Sequence, residues 1–455
     1  MTKLLPLVLL AIGCSKDIKD AILPDDTSLP LVGTEALKFH GAVPENLIFL
    51  SIDTFRKDHF GSHSTKGLTP FLDTIVAQGV VLEDHTQCSN WTFGSTTCTL
   101  AGRNNIERGH LPRLNGVPET RPPVPEGTPF LASWLGDAGF FSVLVSANDW
   151  LSAKWGNAQG YTQALRPGGA ATAVHKTATD AVVMASEAGN ADRWFMHMHF
   201  MEPHASYAPP EANIVGQDLL EPWPTDLTDR PTHYDHRSEY PTLPPDQQAL
   251  LEAHLRILYE AEIRTIDERL ATIWDALERE GYLDNTLVVL WNDHGEQFWE
   301  HGDQTHAYRM YGEESDGFAV FWARNIVGGQ WTGPTASIDL VPTVLDLFDL
   351  PMPEEVTGYP LGEAPTDRSR FGEAMARRGG INMIVKNGWK MQYQWNTAQV
   401  VVHDRNTDPL ERVDLFDPTD PWQISLWEEL RSQAEVMSTL VVGNGPFPVW
   451  PPDLP

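Results

Sequence analysis

Apolar and polar positions follow two periodicities along this chain. Continuous apolar runs stand at Leu47-Ile-Phe-Leu50, Phe140-Phe-Ser-Val-Leu-Val145 and Leu287-Val-Val-Leu-Trp291, each with the length of a strand buried on both faces. Trp194-Phe-Met-His-Met-His-Phe-Met201 alternates and then breaks at Glu202-Pro203-His204, which predicts a further strand. Between these runs the spacing becomes helical. Thr69-Pro70 is a helix start, with the hydroxyl as cap, before Phe71, Leu72, Ile75 and Val76, and Gly79 stops it. Phe130 to Gly139 repeats the helix-then-glycine pattern. Leu251, Leu255, Leu258, Ile263, Ile266, Leu270, Ile273 and Leu277 predict a long amphipathic helix from Pro245 to Gly281. Strand and helix in alternation predict an α/β fold whose mostly parallel sheet is covered on both faces.

The pattern also divides the chain. Residues 211–245 are rich in Pro and Asp without period and read as a surface insertion that walls a site. Asp339 to Phe348 reads as a helix ahead of a Pro-rich linker near 351–365. Beyond it Met383-Ile-Val385 and Trp389-Lys-Met-Gln-Tyr393 alternate like antiparallel strands, and Trp427 to Met437 has helical spacing. We therefore expect a main domain over 45–360 and a small C-terminal α+β subdomain over 361–455. The first residues differ in character. Met1-Thr-Lys3 precedes an apolar run from Leu4 to Ile12 that is too short to span a bilayer, and Gly13-Cys14 closes it. A small residue followed by Cys resembles the bacterial lipoprotein signal. Residues 1–13 are then a signal peptide, Cys14 carries a lipid anchor to the membrane, and 14–44 is a tether. An ordinary cleaved signal peptide is the alternative. Either places the protein in the bacterial cell envelope, periplasmic or extracellular.

Charge narrows the partners. Lys and Arg number 32 against 62 Asp and Glu, a formal net charge of −30, so no basic surface for nucleic acid is expected. Sixteen Trp suit a core, or a wall for a sugar or aryl group. Export would leave Cys88 and Cys98 where a disulfide is allowed, though spacing alone does not establish one.

Candidate chemistry gathers where the strands end. The run from Glu45 ends in Asp53, and the run from Thr286 ends in Asp293, His294 and Gly295. In open α/β sheets the carboxyl edge of the strands binds ligands, and two carboxylates with an imidazole there suit a divalent metal. Alternatively, Asp293 caps a turn and His294 packs. Cys88-Ser-Asn-Trp-Thr-Phe-Gly-Ser-Thr-Thr-Cys-Thr-Leu-Ala-Gly-Arg103 reads as a helix with Thr92 at its mouth, facing an anion or capping the helix. His197 and His199 read as satisfied strand histidines.

Taken in order, Ser51-Ile-Asp-Thr-Phe-Arg-Lys-Asp-His-Phe-Gly61, Thr69-Pro70, residues 92–103, Glu202-Pro-His204, Asp284-Asn-Thr286, Asp293-His-Gly-Glu296, Asp339-Leu-Val-Pro-Thr343 and Asp414-Leu-Phe-Asp-Pro-Thr-Asp-Pro421 resemble the sulfatase family of the alkaline phosphatase superfamily. The resemblance implies an alkaline-phosphatase-like α/β sandwich with a small C-terminal subdomain. It implies one divalent metal, calcium, manganese or zinc, held by Asp53, Thr92, Asp293 and His294. It assigns Thr92 as nucleophile and His204 to a substrate oxygen or leaving group. Ser95, Arg103 and His306 are substrate-binding candidates, and one of Glu296, His301 and His306 on the loop after the metal pair a support for the metal ligands. The family nucleophile is Cys or Ser oxidised to formylglycine. Thr92 stands there instead, so no formylglycine is expected, and Gly94 and Thr96 replace the motif's Pro and Arg. A second departure is Thr54, where many members place a further metal-binding Asp. The resemblance thus implies a hydrolase of an anionic ester, sulfate or phosphate, with phosphate favoured because threonine is the nucleophile type of the superfamily's phosphodiesterases. The competing reading is a non-catalytic anion- or glycan-binding lipoprotein on the same fold.

Overall fold

The structure, a computed structural model, describes residues 29–104, 123–167, 192–228, 236–374, 380–394 and 397–440, with Lys176, Thr179, Asp180 and Val183 between them. The signal peptide and Cys14 lie outside the described residues, as does the first part of the predicted tether, up to residue 28. Its last part is folded. β1 (Leu31–Gly33) and β2 (Lys38–His40) form a hairpin, and Leu37 and Phe39 are fully buried. The tether reading is therefore corrected for these residues. Two buried apolar side chains in a polar stretch are enough to dock it.

The central sheet is built from β3 (Asn46–Ile52), β4 (Val80–Thr86), β5 (Phe141–Ser146), β6 (Gln163–Leu165), β7 (Trp194–Phe200), β8 (Thr286–Asn292), β11 (Asp316–Gly317), β12 (Ala319–Trp322) and β13 (Gly329–Ala336), while β9 (Gln297–Phe298) and β10 (Gln304–Thr305) pair separately. Its order is β11-β4-β12-β8-β3-β7-β5-β6, with β13 beside β4. β8, β3, β7, β5 and β6 run parallel, and β12 is antiparallel to both β8 and β4. Because side chains alternate along a strand, each central strand feeds two cores. On β3, Ile48, Leu50 and Ile52 enter one and Leu47 and Phe49 the other.

Helices cover both faces. α1 (Pro70–Val76) lies on the first core, α2 (Thr92–Ala101) and α3 (Leu131–Asp137) on the second. α4 (Pro245–Arg279) packs its predicted leucine and isoleucine stripe on the first core, and α5 (Leu340–Leu347) joins the second. Thr69 does not cap α1. Its hydroxyl donates to Asp73, and the first-turn N–H groups of Phe71 and Leu72 donate to Asp267 on α4, each at 2.9 Å. A tertiary carboxylate replaces the local cap.

The C-terminal subdomain is an antiparallel sheet of β14 (Arg370–Ala374), β15 (Ile381–Lys386), β16 (Trp389–Gln394) and β17 (Gln399–Asp404) covered by α6 (Pro421–Leu440). α6 begins before the predicted Trp427, since Asp420 accepts from the Trp422 N–H at 2.7 Å and starts the helix at Pro421. The subdomain reaches the main domain just ahead of α2, where the Ser89 hydroxyl donates to the Glu373 carbonyl.

α4 also carries a buried carboxyl. Burial pushes Glu262 up to about 7 from 4.5, and the Glu202 charge adds to this against the Ala208 N–H bond. A carboxyl with a raised folded-state pKa contributes stability below its unfolded pKa and loses it as pH rises through the folded value. Glu262→Gln keeps an acceptor for Ala208. It should stabilise the fold by up to about 3 kcal/mol at pH 8 and leave it nearly unchanged at pH 4, measured by thermal melts at both. An equal effect at the two pH values would show that the carboxyl is not the cause.

Candidate metal and nucleophile site

Four adjacent parallel strands deliver their carboxyl ends to one place. Asp53 follows β3, Asp293 and His294 follow β8, Asn148 lies just beyond β5, and His204 follows β7. Asp53, Asp293 and His294 are fully buried and offer ligand atoms within 4.8 Å of one another. His294 Nε2 lies 3.5 Å from Asp53 Oδ1 and 3.5 Å from Asp293 Oδ2. Each of those three atoms is buried without a hydrogen-bond partner. Buried polar atoms are almost always satisfied, so three orphans facing one point mark a place for a cation.

The opposite atoms of the same residues are held. Asp293 Oδ1 accepts from the N–H groups of Thr54 at 3.2 Å and His294 at 2.8 Å. His294 Nδ1 lies 2.9 Å from the Gly295 carbonyl, so Nδ1 carries the proton and Nε2 keeps its lone pair for a ligand. Gly295 is required by close approach rather than by its φ. A Cβ there would lie 1.9 Å from the Glu313 carbonyl oxygen. Thr54 takes φ +54°, a strained conformation for a β-branched residue, and its N–H reaches Asp293 from there.

Charge in the cluster is unbalanced. Burial opposes ionisation of Asp53, but His204, His199 and His294 together hold its carboxyl well below the usual range. Burial and the Asp53 charge push Asp293 well above it. Burial and the His306 imidazole lower His294 to about 3 against the pull of Asp53. Two ionised carboxylates beside a neutral imidazole in one dry site repel each other, and either a proton on Asp293 or a cation between them relieves this.

Thr92 is the first residue of α2 and makes no capping bond, so of its two readings the cap is not realised. Its Oγ1 lies 3.4 Å from Asp53 Oδ2. Asn148 Nδ2 bridges them, at 2.8 Å from Asp53 Oδ2 and 3.3 Å from Thr92 Oγ1. α2 is pinned by a disulfide between Cys88 and Cys98, which ties it to the end of β4. The substitutions in the family motif have local reasons. A Cβ on Gly94 would lie 2.4 Å from Ser89 Oγ, and Thr96 donates back to the Thr92 carbonyl at 2.6 Å.

The other candidates divide. His204, His306 and His294 are neighbours, with ring centres 5.2 Å apart for His204 and His306 and 4.4 Å for His306 and His294. His306 Nδ1 is held by Glu296 at 3.0 Å, whereas His301 faces Glu313 and stacks on Tyr311. Ser95 is buried, and its hydroxyl donates to the Asp293 carbonyl, so it braces a metal-site residue instead of facing substrate. Arg103 follows the far end of α2, where its N–H donates to the Cys98 carbonyl. Ten helical residues put it about 15 Å along the axis from Thr92, so the structure does not bring it into the cluster. Asn148 and His199 were not legible as site residues. His199 Nε2 lies 3.3 Å from Asp53 Oδ2, which only the strand register reveals. The insertion touches the site loop as expected, through Arg237 on Thr305 beside His306.

Residues 45–350 match the Sulfatase family model. An arylsulfatase of Clostridium perfringens is 22% identical over 288 residues, 60% of this chain and 57% of that protein, so the chain spans just over half the length of this relative. A protein in complex with its substrate D-glucosamine-2-N,6-O-disulfate superposes with TM-score 0.64 at 17% identity, over 88% of this chain and 98% of the other. A phosphonate monoester hydrolase of Silicibacter pomeroyi has TM-score 0.64 at 19% identity, over 86% and 94%. The two structures share the fold, the family model covers most of the main domain, and the chain belongs to the sulfatase family.

Proposed function

We propose that this chain is a metal-dependent hydrolase of sulfate or phosphate esters, phosphate first, with Thr92 as nucleophile. The observation that supports this most is the Thr92 hydroxyl sharing Asp53 and Asn148 with the cluster of orphaned ligand atoms. Asp53, Asp293 and His294 would hold the cation, with Thr92 beside them. Carboxylate and imidazole donors suit calcium, manganese and zinc. When bound, such a cation supplies Lewis acidity that lowers the pKa of a neighbouring hydroxyl and neutralises charge developing on ester oxygens.

The chain's own residues do the rest. Asn148 fixes the Thr92 rotamer, and Asp53 Oδ2 stands where the hydroxyl proton departs. Thr92 Oγ1 attacks phosphorus, the bond to the leaving oxygen breaks in line, and that oxygen takes a proton. His204 serves it as the imidazolium, with its Nδ1–H on the Ala205 carbonyl and its second proton on Nε2 for the leaving oxygen, and the neutral ring that results can take a proton from the water of the next step. Water then cleaves the threonyl ester. For phosphorus this is ordinary two-step chemistry. A sulfated threonine has no aldehyde hydrate to expel the group, so sulfate turnover should be slower. The likeness to both a disulfated-sugar complex and a phosphonate monoester hydrolase supports an anionic ester as substrate.

Matched aryl sulfate, phosphate monoester and phosphate diester substrates with each metal test this. Phosphate turnover well above sulfate turnover is expected. Faster sulfate turnover would contradict the threonine chemistry, and no turnover with metal bound would favour a binding role. We further propose export with a lipid anchor on Cys14, supported by the apolar run ending in Gly13-Cys14. Mass analysis of the membrane fraction for an acylated Cys14 tests it, and an unmodified Cys14 would refute it.

A further inference from the structure

A polar chain, buried except at half-buried Tyr161, runs behind the cluster on a sheet face lined largely by apolar side chains. Tyr161, just before β6, places its hydroxyl 2.9 Å from His197 Nδ1. His197 Nε2 lies 3.0 Å from Ser51 Oγ, and Ser51 Oγ lies 2.9 Å from His199 Nδ1. His199 Nε2 ends the chain on Asp53 Oδ2 at 3.3 Å. Register makes it possible. Ser51 on β3 is paired with His199 on β7, and His197 shares the same face. Phe49, Phe195 and Trp291 surround it. Two imidazoles and a hydroxyl are costly in such a place, and every one of their polar ring and hydroxyl atoms is bonded.

The directions of these bonds are not arbitrary. A carboxylate can only accept, so His199 Nε2 donates to Asp53, and in the neutral ring Nδ1 then accepts. Ser51 therefore donates to His199 Nδ1 and accepts from His197 Nε2. His197 is neutral, as burial and the neighbouring His199 lower it to about 3, so its Nδ1 accepts from the Tyr161 hydroxyl. Burial keeps that phenol protonated by raising it well above its ordinary range. All four donors point towards Asp53. Reversing any bond would turn a His199 lone pair onto the carboxylate.

We propose that Tyr161, His197 and Ser51 are positioning residues that set the tautomer of His199, and through it the orientation of Asp53, with Oδ2 engaged and Oδ1 left to a cation. The consequence for metal rests on the site reading given above; the tautomer does not. Both can be read on the full-length, metal-stripped chain, by calorimetric titration with Mn2+ and by the ring 15N shifts of the metal-free histidines. Tyr161→Phe, which removes one oxygen distant from the ligands, should weaken Mn2+ binding about tenfold. It should also give His199 a measurable population protonated on Nδ1. Ser51→Ala breaks the chain at its middle and should do the same, while Ser51→Thr restores the hydroxyl and both readouts. If Tyr161→Phe fails to fold, the Ser51 pair carries the test. Unchanged affinity in a folded variant overturns the proposal. So does weaker binding with an unchanged His199 tautomer, which would indicate loosened packing alone. A wild-type chain that binds no Mn2+ would count against the cation site, and the relay would still stand or fall on the tautomer.

Discussion

Thr92→Ala should lower ester turnover at least about a thousandfold while changing stability by less than about 1 kcal/mol. The size follows from its place as sole attacking group in the proposal. Without the hydroxyl, turnover depends on water attacking unassisted. The small stability effect follows from geometry. The hydroxyl makes no cap, and its contacts to Asp53 at 3.4 Å and Asn148 at 3.3 Å are long. Alanine is also a good residue at a first helical position. Thr92→Ser keeps an oxygen at the same place and should retain activity within about tenfold. Steady-state kinetics beside thermal melts separate these outcomes. Turnover that survives Thr92→Ala would move the nucleophile elsewhere.

Asp293→Asn should have effects of opposite sign with and without metal. In the stripped protein, Asp293 is a buried carboxyl beside an ionised Asp53, pushed up by burial and by that charge. Asparagine removes the repulsion and keeps an oxygen for the Thr54 and His294 N–H groups. The stripped variant should therefore melt at or above stripped wild type at pH 8. Divalent metal at about a hundredfold its dissociation constant should stabilise wild type by about 2.7 kcal/mol. The variant should lose that gain, bind metal at least about a hundredfold more weakly and lose turnover with it. In wild type a proton on Asp293 competes with the cation, so apparent metal affinity should fall as pH is lowered. Calorimetric melts with and without chelator check all of this. A variant less stable than wild type when both are stripped would mean that Asp293 is a structural anchor.

Much of this site is legible in the sequence. Asp53, Asp293 and His294 each end an apolar run, and a parallel sheet gathers such ends at one edge, so periodicity plus the family order brought them together. His204 stood in that order and His306 only followed the metal pair along a loop, and the structure sets both rings near His294. Arg103 did not belong because sequence proximity to Thr92 says nothing about which end of a helix a residue occupies. Ser95 lies near the cluster, but its hydroxyl donates to the Asp293 carbonyl. Asn148 and His199 carried no local signal. A strand histidine looks the same whether it meets a neighbour's carboxylate or nothing, and the β3–β7 register decides which. The fold followed the same division. Long strands and the α4 stripe were readable, whereas the hairpin at 31–40 depends on two apolar residues that pattern alone does not distinguish from a tether.

The most direct measurement is to mix metal-loaded protein with excess aryl phosphate, quench with acid within the first turnovers and map the modified peptide by mass spectrometry. A single phosphoryl group on Thr92, absent in Thr92→Ala and when metal is removed, is the expected result. A phosphoryl group on another residue, or ester turnover that leaves Thr92 unmodified at every quench time, would contradict the threonine nucleophile on which the proposed function rests.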